Sequence, residues 1–391
     1  MGNELTQLRR ARAEAQWSQT QLIAAMRRAA PSLKIRLPDN ESLKTNVTRW
    51  ENGHVMPGPD YRKLLRVVYG TTDAELGFPA TETSGALLAV STTDLSAEGL
   101  AYFRALLTEH IRADNLLGPQ HVASLVEHQA HQLNVAARNA RGTTRRDVLA
   151  LAFRFHEFLG WLQQDSGRYA AAMASTDRAR DMATELSDPL WNAYLLMRKS
   201  NIATDADDPA SAAALADAAL TAVPGAPPKL HAVILRQKAN AHAALGDIAE
   251  CAAAVDQSFR DLDREESDWD PNVPYCTEPY VAMEAASCWT QLGCPKRALE
   301  MFEQAEAEWP GTLRRDKGLY LSRLAITHAE LGDIDRACSI ATDAVAVANV
   351  TRSVRTLREL RRLRSDLARW RRRPEVQAVS TAVASLIGRA A

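Results

Sequence analysis

A chain of 391 residues, 46% apolar and 24% charged with a formal net charge of −1, is long enough for two or three packed domains and too apolar to be disordered. No run of eighteen apolar residues occurs and the N-terminus lacks the apolar stretch of a signal peptide, so no membrane partner is expected. Five scattered cysteines, Cys251, Cys276, Cys288, Cys294 and Cys338, exclude a disulfide scaffold and predict reduced thiols in a cytoplasmic protein.

The near-zero total hides a segregation of charge. Residues 1–70 hold twelve Lys/Arg against six Asp/Glu, residues 80–351 hold 24 basic against 37 acidic residues, and residues 352–373 hold ten Arg against two acids. The two ends and the middle are therefore expected to meet different partners. In chain order, the first predicted helix spans about Glu4 to Ala15, with Leu5 and Leu8 inward and Arg9, Arg10 and Arg12 outward. The second starts at Ser18, where Ser18 and Gln21 have capping-box spacing and Trp17 and Leu22 form a hydrophobic staple. A long turn, Pro31 to Asn40, leads to a third helix over Ser42–Gly53. It has an apolar stripe of Leu43, Val47 and Trp50 and an opposite face of Lys44, Thr45, Thr48, Arg49 and Asn52. Gly53 supplies the left-handed residue that ends it, and a fourth helix runs from Pro59 to Tyr69.

The segments W-S-Q-T-Q-L and V-T-R-W-E-N-G-x-x-x-P, in this order, resemble the Cro/repressor-type helix-turn-helix of the xenobiotic-response-element family over residues 3–79. The resemblance implies a recognition helix presented to the major groove of double-stranded DNA. Lys44 and Arg49 would reach bases or phosphates, Thr45 and Thr48 a phosphate or thymine methyl, and Gln19 and Thr20 a phosphate at a helix N-terminus. It also implies a structural pair between Glu51 and Arg10 or a neighbour. The plainer alternative is a small helical domain with a solvated face.

Residues 80–95 read as a linker and 96–143 as a helical connector with helices near 96–115 and 119–141. Over 144–350 a repeat appears, with turns at Gly167, Asp207, Gly246, Gly293 and Gly332, spaced 40, 39, 47 and 39 residues apart. Each unit is helix, turn, helix. The positions Gly160, Gly167, Tyr169, Ala172 and Ala179, and again Ala286, Gly293, Ala298, Phe302, Ala305 and Pro310, resemble the tetratricopeptide repeat, whose usual period is about 34 residues. The expected fold class is thus all-α: an N-terminal helix-turn-helix domain followed by a tetratricopeptide-like α-solenoid. In that repeat family the first helix of each unit lines the concave face. The resemblance therefore assigns ligand binding to Glu157, Trp161, Gln164, Tyr194, Asn201, Arg236, Asn240 and Tyr280, with the amides of Asn201 and Asn240 free for a peptide backbone or else bridging helices within the stack. The loop 268–280, with three prolines and three aromatics, either edges the groove or packs across a repeat junction. Residues 351–391 read as C-terminal capping helices. The first of them, 352–373, keeps Leu357, Leu360, Leu363, Leu367 and Trp370 on one stripe and offers its arginines to solvent, DNA or a partner.

No phosphate loop, dinucleotide fingerprint or H-E-x-x-H occurs, and His121, His128 and His131 lack the companions of a metal site, so neither an enzyme nor a metal or other cofactor is expected. The whole resembles helix-turn-helix/tetratricopeptide regulators of actinobacteria and the peptide-sensing regulators of Gram-positive bacteria. It implies a homodimer on a two-fold operator and a peptide or small-molecule effector. The competing class is a helical-repeat adaptor whose DNA-binding domain is secondary or vestigial.

Overall fold

A computed structural model describes residues 6–15, 17–33, 35, 37–69, 71, 76–78, 95–264, 275–307 and 314–390. They contain eighteen α-helices and no strand. The chain divides into two compact units, 1–90 and 91–391, each taken by itself below. Residues 80–94 of the predicted linker and 268–274 of the proline-rich loop lie outside the described residues, as do Glu4, Leu5 and Pro310.

The first unit has α1 (Gln7–Glu14), α2 (Gln19–Ala29), α3 (Asn40–Glu51) and α4 (Pro59–Tyr69). Ser18 and Gln21 form the reciprocal capping box, and Leu22 packs in the same cluster as Trp17, which stacks on Tyr69 at 5.6 Å. Helix α3 begins two residues before Ser42 because Asp39 accepts from the Glu41 and Ser42 amides at 3.0 and 2.9 Å and from the Ser42 hydroxyl. Those bonds also hold the Asp39 carboxyl below its ordinary range. Leu43, Val47 and Trp50 are buried as the stripe requires, and Gly53 ends the helix at φ 70°. Arg12 departs from expectation. It turns inward to the buried carboxylate of Glu51, with Nε and a terminal nitrogen 2.5 and 2.9 Å from its two oxygens. A buried carboxylate needs a charged donor, and the fork of Arg12 meets it where Arg10 stays exposed.

The second unit starts with α5 (Ala97–Leu117) and α6 (Ala123–Asn139). Five antiparallel pairs follow: α7 (Gly142–Asp165) with α8 (Tyr169–Glu185), α9 (Pro189–Asp205) with α10 (Pro209–Ala222), α11 (Pro228–Leu245) with α12 (Ile248–Leu262), α13 (Glu278–Gln291) with α14 (Pro295–Ala307), and α15 (Arg314–Leu331) with α16 (Ile334–Thr351). Each pair turns on a residue in the left-handed region, Gly167, Asp207, Gly246, Gly293 and Gly332, with φ between 62° and 82°. The turn residue's amide reaches back three residues and the next one five, which satisfies two carbonyls at the helix end. Asp208, Asp247 and Asp333 then cap the following helix, so a Gly-Asp or Asp-Asp dipeptide both stops one helix and starts another. Buried alanines, such as Ala172, Ala212, Ala298 and Ala337, let paired helices approach closely. Half-buried Tyr275 and Tyr280 meet edge-on at 5.3 Å against the core shared by α7, α9 and α11, so the described end of the proline-rich loop packs across a repeat junction.

The arginine-rich segment is not one helix. It forms α17 (Val354–Asp366), a 3-10 turn over Leu367–Trp370 and, after Pro374, α18 (Pro374–Ala390). Proline cannot continue the preceding hydrogen-bond ladder, so the chain reverses there and α18 packs on α16 and α17. Its valines, with Leu357, Leu360, Leu363 and Leu367, belong to the core of the last repeats.

The solenoid also closes on itself. Helix α5 packs against α7 at the start of the array and against α15 and α16 near its end. Arg315 on α15 pairs with buried Asp114 on α5. Gly118, at φ 91°, lies where an added Cβ would fall 1.7 Å from the Thr351 carbonyl oxygen. At the other side of α7, Asp165 is fully buried and accepts from Arg355 Nε at 2.8 Å and from the Ser353 hydroxyl at 2.7 Å. Burial alone would raise the Asp165 carboxyl, but Arg355 and Arg315 outweigh it and hold it below the ordinary range.

Candidate functional site

In the first unit, Lys44, Thr45, Thr48 and Arg49 are all exposed on the face of α3 opposite its buried stripe, and Thr20 is exposed at the start of α2. Gln19 is only half exposed. Its amide nitrogen donates to Glu51 at 2.9 Å, and its amide oxygen accepts from the Thr48 hydroxyl at 3.3 Å. Gln19 and Arg12 thus fasten the C-terminal end of α3 to α1 and α2 through Glu51. Arg27, donating to Asn40 and to the Pro38 carbonyl, fixes the other end of the long turn. The result is a helix tied at both ends that presents a cationic, hydroxyl-bearing face.

In the second unit, the first helix of each repeat faces inward and α17 closes the far side. A cavity of about 350 Å³ lies between them. The residue six positions before each turn, Trp161, Asn201, Asn240 and Ser287, lines it in four successive repeats. A ladder of hydrogen-bonded side chains runs along and behind its wall. The Tyr194 hydroxyl donates to Glu157 at 2.8 Å, and Arg198, buried, lies 3.7 Å from Glu157 and donates to Gln164 and Asn201 at 2.9 Å each. Gln164 donates to Asn201 and Asp205, and Asn201 donates to Gln237 at 3.0 Å. Arg236 donates to Gln237 at 2.9 Å and stands 3.8 Å from Glu284. Glu284 accepts from Asn240 and Arg323 at 2.8 Å each. Burial would push the Glu284 carboxyl up, but Arg323, Arg236 and the Asn240 bond overcome it and bring it to about 2. Asp205 moves the other way, raised by burial beyond what Arg355 and the Gln164 bond offset.

Three arginines of α17 enter this cavity. Arg355, anchored on Asp165, lies 5.5 Å from the Trp161 ring centre, while the Arg198 guanidinium stacks on the same ring at 3.4 Å. Arg358 pairs with Asp207 and donates to the Asp205 carbonyl at 2.7 Å. Arg362 donates to Glu330 at 3.1 Å.

Of the eight residues assigned from the repeat resemblance, Trp161, Asn201, Arg236, Asn240 and Tyr280 come together on the cavity wall. Glu157, Gln164 and Tyr194 lie behind it, in the buried layer that orients Arg198. The two asparagine amides are not free. Asn201 bridges α9 to α7 and α11, and Asn240 donates to Glu284 and accepts from the Cys288 thiol. The reading of the sequence missed Arg323 and Glu284, although each stands nine residues before its turn glycine, as Arg198 stands nine before Asp207. The sequence singles out the arginine-rich segment 352–373, but no local signal places its Arg355, Arg358 and Arg362 in the cavity.

No family model matches the sequence, and no curated protein is similar to it. Among solved structures, the chain is similar to a Rap protein complexed with competence and sporulation factor, at a TM-score of 0.51 and 10% identity over 95% of this chain and 93% of that one. At that identity the likeness concerns the fold, an all-α, tetratricopeptide-like solenoid. Among the described residues no helix is long and apolar enough to cross a membrane.

Proposed function

We propose that this protein is a sequence-specific DNA-binding regulator whose helical-repeat unit senses an effector. In this reading residues 1–79 form a helix-turn-helix domain, 80–95 a linker and 96–143 a connector. Residues 144–350 form the repeats that carry dimerisation and effector binding, and 351–391 the capping helices. The supporting observation is the exposed face of α3, where Lys44, Thr45, Thr48 and Arg49 stand on a helix locked from behind by the Arg12–Glu51–Gln19 clasp. Cations there supply salt-dependent attraction to phosphates, and a helix so held supplies discrimination among base edges. The effector, a peptide or small molecule, occupies the cavity beside the polar ladder. A homodimer places two such helices on a two-fold operator, and the effector alters their spacing.

Selection of genomic fragments by the full-length protein, followed by titration at several salt concentrations, tests this. A defined two-fold site, bound at least tenfold more weakly by Lys44→Ala or Arg49→Ala, supports it. Recovery of random fragments, with affinity lost steeply as salt rises, refutes it. The likeness to the Rap structure, itself complexed with competence and sporulation factor, favours a second reading: an interaction adaptor that grips a partner protein. That reading gains if no fragment is preferred and the variants change nothing.

A further inference from the structure

We infer that the cavity captures its ligand through an anionic group, a carboxylate or phosphate, held by Arg358 and Arg362 at the rim and by Arg236 on the wall. The inference rests on reading the cavity as the effector site and reverses what the acidic charge of the repeat region suggests. The cavity wall carries five arginines, Arg236, Arg323, Arg355, Arg358 and Arg362, against four carboxylates, Asp205, Asp207, Glu284 and Glu359.

The two signs are not equally available. Glu284 is buried and engaged by Arg323, Arg236 and Asn240 together, and Glu359 lies 3.5 Å from Arg323. Asp205 accepts from Gln164 and is raised toward its neutral form by burial. A cationic ligand would have to pull an arginine from a buried carboxylate, leaving that arginine's charge without a partner. The Trp161 ring, the natural seat for an ammonium group, already carries the Arg198 guanidinium on its face.

An anion meets a different situation. The side chains of Arg358 and Arg362 are 45% and 42% exposed, and the partner of Arg358, Asp207, is 78% exposed. Ion pairs this open to water contribute little and are readily exchanged. A forked guanidinium bonds a ligand's carboxylate or phosphate through two parallel N–H groups, in exchange for the water-exposed pair that Arg358 makes with Asp207. Arg236 adds a second pointer. It is 3% exposed, lines the cavity, and its Nε has no hydrogen-bond partner among the described residues. A buried donor left open is costly, and an acceptor arriving in the cavity removes that cost. At about 350 Å³ the space suits a small organic acid or phosphate, or the last residue of a peptide with its terminal carboxylate. Because Arg358 also ties α17 to the α9–α10 turn, an anion that engages it loosens that tie.

Calorimetric titration of the full-length protein tests the inference with inorganic phosphate, succinate, putrescine and two pentaalanine peptides, one with a free C-terminus and one amidated. Binding of phosphate or succinate, or of the free-acid peptide in preference to its amide, is expected, and the comparison tells a free anion from a peptide terminus. Arg358→Gln/Arg362→Gln should weaken that binding about tenfold or more, while Arg372→Gln should not. Ser287→Trp, which fills the cavity, should abolish it. Binding of putrescine that Ser287→Trp abolishes leaves the cavity reading standing and overturns the anion inference. Anion binding indifferent to both Ser287→Trp and the double arginine change overturns both. So does the absence of any response to phosphate, succinate and the two peptides.

Discussion

Replacing Arg355 by alanine isolates the contact that joins α17 to the first repeat. Asp165 has no exposed surface, and Arg355 supplies its closest cation, 2.8 Å away. Removing one partner of a buried pair leaves an uncompensated charge and typically costs about 3–5 kcal/mol. At a urea dependence of about 3 kcal/mol/M the unfolding midpoint should fall by roughly 1–2 M. The pH dependence gives a second handle. In the native protein the Asp165 carboxyl sits below its ordinary range, so its stabilisation is complete above the unfolded pKa and is lost as pH falls through the folded value. In Arg355→Ala, burial loses its main opponent and the carboxyl moves up. The deficit is then greatest at neutral pH and shrinks on acidification, as Asp165 takes up a proton and becomes neutral. Urea titrations followed by circular dichroism at pH 7 and pH 5 measure both effects. Adding Asp165→Asn should restore most of the loss, since it removes the orphaned charge. A deficit below about 1 kcal/mol, equal at the two pH values, would match an exposed ion pair and refute the closure.

Three further changes probe the ring and the first unit. Gly118→Ala should lower thermal stability by about 3 kcal/mol or more, because its Cβ meets the Thr351 carbonyl. Gly142→Ala, also at positive φ but facing open space, should lose only about 1–2 kcal/mol, and equal losses would discount the α5–α16 contact. Glu51→Gln keeps the side chain's shape but leaves Arg12 without its counter-charge, a loss of about 2 kcal/mol, so amide exchange in α1 and α3 should quicken roughly 30-fold. Unchanged exchange would show that the clasp does not hold α3 in place.

What the sequence disclosed follows the range of the interactions involved. The capping box at Ser18, the stripe through Trp50 and the five turns are set by residues within one or two helical turns of each other, and all stand where spacing places them. Asp207 could be identified as a turn without glycine because the 79-residue gap between Gly167 and Gly246 demanded one. The Glu51 partner was legible as an arginine of the first helix, but choosing Arg12 over Arg10 depends on which side of α1 meets α3. The candidate cavity was half legible. Repeat register placed Trp161, Asn201 and Asn240, whereas Glu157, Gln164 and Tyr194 share the inward side but lie under the neighbouring helix. The arginines of α17 read as facing solvent, DNA or a partner, and not the early repeats, since Asp165 and Asp207, the partners of Arg355 and Arg358, lie 190 and 151 positions away.

A linear array of repeats behaves as a one-dimensional lattice in which each unit answers only to its neighbours and the ends may fray. Closure gives this array a periodic boundary: α5 packs on α15 and α16 as well as on α7, and Asp165 at the end of α7 is held by Ser353 and Arg355. On the ribosome the dependence becomes a delay. Asp165 is made as α7 ends, yet Arg355 is synthesised roughly 10–40 s later at ordinary elongation rates. Throughout that interval Asp114 and Asp165 lack the cations that accompany their burial, so the first repeats wait in an unfinished state for the last. Neighbouring helices can pack as they emerge, but the closing contacts join residues about 190 positions apart, a separation more usual in β-sheets than in helical bundles.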